Sequence, residues 1–278
     1  ENIALYSYAI TIAGIIVLYT VNFLELQYQL FEHGFDYATQ NIIIGSYNML
    51  FMAGMLLVAR KLSVPAELKA FFPALGVVAM LSYMFFYQNQ IISVRNDYVN
   101  GMDTFTGYIF HYVLLILLLL VVALSLTRVQ KLSEFNKKTH NLYSWFYVFF
   151  FVFMASAELD HIVVVSAFSS GDSIQHILNQ NHKIGYPILW GVTSFSLIAL
   201  GLKKKIRHLR IISLTLFLVT LVKLFLIDIK GISEGGKIAA FISLGLLLLV
   251  VSFMYQRLKK ILLADSAAAD TVQNNNES

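Results

Sequence analysis

The sequence predicts an all-α fold, a polytopic transmembrane helix bundle of about eight spans. The chain of 278 residues is 58% hydrophobic and only 13% charged, whereas soluble domains carry about 25% charged residues. Its apolar residues form continuous runs close to the roughly 20 residues that a helix needs to cross a bilayer, and they lack the alternation of barrel strands. The runs are 4–24, 42–59, 70–87, 108–127, 143–163, 184–202, 209–227 and 237–256.

Basic residues predict the direction of these spans, because cytoplasmic loops retain Lys and Arg during insertion. Fifteen basic residues follow the even-numbered spans. The intervening loops are expected to hold only Arg95, Lys183, Lys230 and Lys237. Both termini are therefore expected to be cytoplasmic, and the acid-rich loops are expected to face outside.

Residues 1–262 are expected to form the bundle, and the small, polar residues 263–278 a disordered cytoplasmic tail. The chain begins without Met or a basic segment, which suggests a longer polypeptide with further spans as partners in the lipid bilayer. Cysteine is absent, which excludes disulfides, thiolate metal sites and a cysteine nucleophile. The placement of basic residues in one set of loops explains the positive charge, so no nucleic-acid partner is predicted.

A lysine inside the seventh run raises the question of a polar site within the membrane. The stretch LVKLFLIDIKG, residues 221–231, contains Lys223 and Asp228. A rise of 1.5 Å per residue places Lys223 roughly 20 Å above Arg210, in the outer third of the bilayer. Lys223 either snorkels to the outer headgroups or faces the bundle interior and meets an acid.

The fifth run supplies a candidate acid. Glu158 lies roughly 22 Å up its span, near the expected depth of Lys223, and shares a helical face with His161. His111, near the outer start of the fourth run, is expected at a similar level. Asp160 points elsewhere and, like Asp228, is placed at the rim. The candidate intramembrane polar cluster is Glu158, His161, Lys223, His111, Asp160 and Asp228.

Besides snorkelling, three chemistries could explain such a cluster. A Glu-x-x-His step is half of a di-metal carboxylate motif, but the sequence has no second copy, so neither a metal nor a cofactor is predicted. Proton transfer or ion coupling is a second explanation, because intramembrane Glu, His and Lys are its usual carriers. A structural ion pair between the fifth and seventh spans is the third.

The sequence offers little support for an enzyme. Glu25, Glu32, His33 and Asp36 follow the first run, and such acids would suit an enzyme that uses lipid-linked sugars, yet the positive-inside rule leaves acids outside in any case. No phosphate-binding glycine loop, GxSxG elbow or HExxH motif is present. We therefore predict no catalytic residues and favour a non-enzymatic transporter-like or envelope-associated component. The alternative is a membrane enzyme acting on a lipid-linked substrate at the outer leaflet.

The last third of the chain resembles a family of large bacterial multi-pass membrane proteins known as DUF2339. The similar features, within residues 188–260, are Trp190, the LGLKKK turn, the pair Leu209–Arg210, the LVKLFLID run, Phe241 with LGLLLL, and the closing YQRL. The resemblance implies a bacterial inner-membrane protein with further spans before Glu1, and it implies no established activity. It also places Lys223 and Asp228 on the family's recurrent VKxFLxD pattern.

Overall fold

Every element in the described part of the chain is helical. The computed structural model describes residues 2–61, 71–102, 105–131, 137–169 and 171–228, and the single positions 238, 242, 245, 249 and 256. The α-helices are α1 (Asn2–Glu32), α2 (Tyr37–Lys61), α3 (Phe71–Ser82), α4 (Gln88–Val99), α5 (Phe105–Lys131), α6 (Lys137–Ala167), α7 (Ile174–Lys203) and α8 (Arg207–Lys223). Two π-helical segments, Tyr83–Tyr87 and Leu224–Asp228, follow α3 and α8.

Six helical stretches among these residues are long and apolar enough to cross a membrane. They are Ile10–Glu32, Tyr37–Arg60, Phe71–Val99, Gly107–Thr127, Lys138–Ala167 and Ile174–Lys203. These six correspond to the first six predicted runs, but the count of eight is not confirmed. The run 209–227 is helical, although α8 has only 17 residues, and most of the run 237–256 lies outside the described residues. The orientation of the chain stays a prediction.

The helices extend beyond the apolar runs that predicted them. The third run was expected to end at residue 87, but the π-helical segment there leads directly into α4, which ends at Val99. The assignment of Arg95 and Lys183 to loops was therefore wrong, since they lie in α4 and α7. Hydropathy marks only the apolar part of a helix, while backbone hydrogen bonding continues through polar residues that still have packing partners.

The chain forms two compact units, Glu1–Ser213 and Leu214–Ser278. In the first unit, α5 packs against α2 and α3, while α6 packs against α4 and α7. Leu114, Leu118 and Val121 of α5 are fully buried in its core. The described part of the second unit contains the end of α8 and the π-helical segment after it. The predicted domain boundary at residue 262 stays a prediction.

Side-chain hydrogen bonds identify which helix ends lie side by side. Arg60, at the end of α2, donates from Nη2 to Thr127 Oγ1 near the end of α5 at 2.6 Å. Helices α2 and α5 therefore run in the same direction, as the second and fourth of four consecutive spans must. The distal end of the first unit is the end at which α4 stops and α5 starts. Helix α6 stops and α7 starts at the same end. The predicted orientation places it outside the cell.

Helices α3 and α5 approach each other closely at Gly76. A Cβ at this glycine would lie 2.2 Å from Ser125 Oγ. The Ser125 hydroxyl donates to the carbonyl oxygen of Pro73 at 3.1 Å and lies 2.7 Å from the Tyr147 hydroxyl, which donates to it. One serine thus connects α3, α5 and α6 near the end of the bundle opposite the distal end.

Candidate functional site

Glu158 of α6 is a largely buried carboxylate between three helical stretches. The Tyr83 hydroxyl donates to Glu158 Oε1 at 3.1 Å. His111 of α5 has its Nε2 atom 3.5 Å from Glu158 Oε2. The Tyr83 and His111 side chains are fully buried, and the Glu158 side chain is 14% exposed. Glu158 therefore connects the α3–α4 stretch, α5 and α6 within the apolar interior.

The π-helical segment Tyr83–Tyr87 explains how its stretch contributes to this site. In an uninterrupted α-helix, residues five apart lie about 140° from each other around the axis. The wider π-helical turn instead allows Tyr83, Tyr87 and Gln88 all to be buried. Such segments are rare and occur frequently at functional sites. The hydroxyl of Tyr87, the last residue of this segment, accepts a hydrogen bond from Asn48 Nδ2 of α2 at 3.1 Å.

A second buried imidazole, His161, lies between Gln88 and Arg95. Its Nδ1 atom is 3.3 Å from Arg95 Nη1, and its Nε2 atom is 3.1 Å from the amide of Gln88. A guanidinium can only donate, so Nδ1 accepts and the Nε2 atom of the neutral ring carries the proton. The oxygen and nitrogen of an amide side chain are assigned from the hydrogen-bond network. Because Nε2 of His161 donates, the Gln88 atom that faces it is the amide oxygen, which accepts.

Arg95 is the main residue of this region that the sequence analysis missed. It is only 2% exposed, donates to Asn96 Oδ1 from both Nε and Nη2 at 3.1 and 2.8 Å, and is attracted by the carboxylate of Asp160. The missed signal was helical spacing, because Gln88, Ile91 and Arg95 recur at i, i+3 and i+7 beyond the third run. That spacing predicts a buried face where hydropathy alone predicts a loop.

The other carboxylate of α6, Asp160, faces α7. It accepts three hydrogen bonds, from Asn181 Nδ2 at 2.7 Å, His182 Nε2 at 3.0 Å and the Tyr186 hydroxyl at 2.6 Å. The Asp160 side chain is 16% exposed and the His182 side chain 40% exposed. This cluster therefore begins inside the unit and reaches its surface at the distal end.

Four of the six predicted site residues, His111, Glu158, Asp160 and His161, lie in the first unit. His111, His161 and Glu158 lie close together, with the two imidazole centroids 5.8 Å apart and His111 beside Glu158. Asp160 is on the same helix as Glu158 but contacts α7. The role of these residues as a functional site stays a prediction.

Lys223 and Asp228 belong to the second unit. Lys223 is the last residue of α8 and is partly buried, and Asp228 ends the π-helical segment Leu224–Asp228. The pairing of Lys223 with Glu158 stays a prediction. Among the described residues there is no group of three or more His, Asp or Glu side chains placed to hold a metal ion.

The long apolar helices, with polar groups buried between them, define a multi-pass membrane protein. The model of the predicted membrane protein family DUF2339 matches residues 2–258. The chain belongs to this family, and the match extends well beyond the region that resembled it by motif. No curated protein and no solved structure matches the chain.

Proposed function

We propose that the protein is a non-enzymatic, envelope-associated structural component of the bacterial inner membrane. One observation carries the proposal. The two carboxylates of α6 are engaged by side chains of neighbouring helices, Glu158 by Tyr83 and His111, and Asp160 by three groups of α7. Residues engaged in this way hold neighbouring helices together.

The energetics support a structural role. Inserting one charged side chain at the centre of a spanning helix costs about 2.5–3.5 kcal/mol on translocon scales. Partners that neutralise and hydrogen-bond the charge offset this cost, and removing one partner of a buried pair costs about 3–5 kcal/mol. Arg95, Glu158 and Asp160 therefore favour the single helix arrangement in which their partners lie beside them.

The alternative of an enzyme for lipid-linked substrates relied on the acids after the first run. Glu25 accepts a hydrogen bond from Gln29 one turn further along α1, at 2.7 Å. Asp36 accepts from the backbone nitrogen of Thr39 at 3.0 Å and so caps the start of α2. The Glu25 bond lies within one turn of α1, and the Asp36 bond is an N-cap of α2. They do not converge on a common substrate position, and we do not favour this alternative.

Single cysteines test whether water reaches the buried polar groups around Glu158, since the natural chain contains no cysteine. Ser156→Cys and Ala157→Cys place a thiol at buried positions within two residues of Glu158. Ser169→Cys places one at an exposed position in the turn between α6 and α7. With a charged, membrane-impermeant thiol reagent, the Ser169 variant should react, and the other two should react only after denaturation.

The test also distinguishes the competing functions. Reaction of either buried cysteine in native membranes, from either side, would mean that water reaches the network. That result would overturn the structural role and favour transport or catalysis. Fractionation of a bacterial host checks the location separately, and recovery outside the inner-membrane fraction would contradict the inner-membrane assignment.

A further inference from the structure

Lys205, in the turn between α7 and α8, has a backbone conformation that lysine rarely adopts. Its φ of 56° lies in the left-handed region, and the other positive φ angles among the described residues belong to glycines, at Gly34, Gly101 and Gly171. In this region the Cβ atom of an L-residue crowds the following carbonyl oxygen. Strained conformations of this kind are concentrated at functional sites and ligand-binding segments.

The hydrogen bonds of the turn explain the conformation but not the lysine. The backbone nitrogen of Ile206 donates to the carbonyl oxygen of Gly201 at 2.9 Å, and that of Lys205 donates to Leu202 at 3.3 Å. These two bonds form the Schellman motif that ends many helices, in which glycine is the usual residue at the left-handed position. Glycine would form both bonds with less strain, so the turn itself gives no reason for a lysine there.

The same turn carries a group of exposed basic side chains, which we call the basic turn. Its members are Lys203, Lys204, Lys205 and Arg207. Helix α7 starts at the distal end, so the basic turn lies at the opposite end of the first unit. Every described Asp and Glu of this unit lies in the distal half of a helix or in a distal turn. No described carboxylate of the unit is therefore placed to neutralise the basic turn.

The basic turn lies where the membrane-spanning part of α7 ends. The stretch that is long and apolar enough to cross a membrane ends at Lys203. Leu200, one helical turn before Lys204, is 46% exposed. The basic side chains therefore follow directly on a surface that faces lipid chains, at the level of the lipid headgroups. The predicted orientation places this end on the cytoplasmic side, where the leaflet carries anionic lipids.

We propose that the basic turn is a binding site for the headgroup of an anionic phospholipid. The phosphate of such a lipid supplies the negative charge that the first unit does not place at this end, and clusters of Lys and Arg beside spanning helices bind anionic headgroups. The left-handed lysine adds a fourth cation at a position where glycine would add none. The site lies far from Glu158, and it does not depend on the structural role proposed above.

A local fluorescence assay tests the site in the full chain. The natural chain contains no cysteine, so Leu200→Cys allows one bimane label to be attached beside the basic turn. The protein is placed in phosphatidylcholine nanodiscs with a small share of phosphatidylglycerol whose brominated chains quench the label on contact. Brominated phosphatidylglycerol should quench this label more strongly than brominated phosphatidylcholine does. Ile184→Cys, at a 64% exposed position toward the other end of α7, is the control, and there both lipids should quench alike.

Substitutions in the Leu200→Cys background identify the charge as the cause. One basic residue beside an anionic leaflet contributes about fivefold in binding. Lys205→Asn removes the charge and supplies a residue that tolerates the left-handed conformation, so the preference for phosphatidylglycerol should fall by about fivefold without loss of thermal stability. Lys205→Arg should retain the preference. Lys183→Gln removes the same charge at an exposed position toward the distal end and should not change the preference.

An unchanged preference in Lys205→Asn would overturn the proposal, and so would equal quenching by the two lipids beside the natural turn. Inorganic phosphate distinguishes a lipid headgroup from a free ion. At constant ionic strength, millimolar phosphate should leave the quenching by phosphatidylglycerol unchanged. Displacement of the lipid by phosphate would identify a site for the free ion and would also overturn the proposal.

Discussion

Asp160→Ala is the most direct test of how α6 is attached to α7. The substitution removes the acceptor of three hydrogen bonds. The His182 side chain is 40% exposed and can form a hydrogen bond with water instead. Loss of its bond to Asp160 should therefore cost little stability. The bonds from Asn181, which is buried, and Tyr186 are each worth about 1.5–3 kcal/mol because the acceptor is charged. Relief of the cost of burying the carboxylate offsets part of this sum. We expect a net loss of about 2–4 kcal/mol.

Reversible unfolding in mixed detergent measures this loss. Trp190 of α7 donates to Ser156 Oγ of α6 at 2.9 Å, so its fluorescence reports on the same pair of helices. Asp160→Asn keeps one carbonyl acceptor and should lose about half as much. Asp172→Ala is the control, because that aspartate is exposed and bonds only locally, to the backbone nitrogen of Ser169 at 3.1 Å. It should lose no more than about 1 kcal/mol.

A double-mutant cycle with Tyr186→Phe completes the test. If the Tyr186 hydroxyl acts through Asp160, the phenylalanine substitution should cost much less in the Asp160→Ala background than in the natural protein. Equal losses for the Asp160 and Asp172 alanine variants would refute the reasoning. Additive effects of the Asp160 and Tyr186 substitutions would do the same for this hydrogen bond.

Two further predictions concern packing and topology. Gly76→Ala should destabilise the bundle by about 1–3 kcal/mol through overpacking, because the added Cβ would lie 2.2 Å from Ser125 Oγ. Gly54→Ala is the control, because a Cβ there would have no atom within 4 Å. It should change stability by less than about 1 kcal/mol, and thermal unfolding measures both variants. If the distal end lies outside the cell, Ser169→Cys should react with an impermeant thiol reagent in intact cells. Lys204→Cys should react only after permeabilisation. The reverse pattern would contradict the predicted orientation.

The helices of this chain were largely predictable because membrane spans depend on local properties. Length and continuous apolarity are sufficient to identify a spanning helix, since a bilayer leaves no other way to satisfy the backbone. Helical rise also gave similar depths for His111, Glu158 and His161, since depth depends only on position along each helix. Apolarity was insufficient where polar residues continue a helix, and this is why the stretch around Arg95 was assigned to a loop.

By itself, the sequence determined a multi-pass helical membrane protein of one family, with acids and histidines at a similar level of its spans. Only the tertiary structure decided which of them meet. The rotation of each helix about its axis depends on its neighbours, and a π-helical segment changes that rotation within a single stretch. Packing therefore directs Glu158 toward Tyr83 and His111, Asp160 toward α7, and the guanidinium of Arg95 into the interior beside His161.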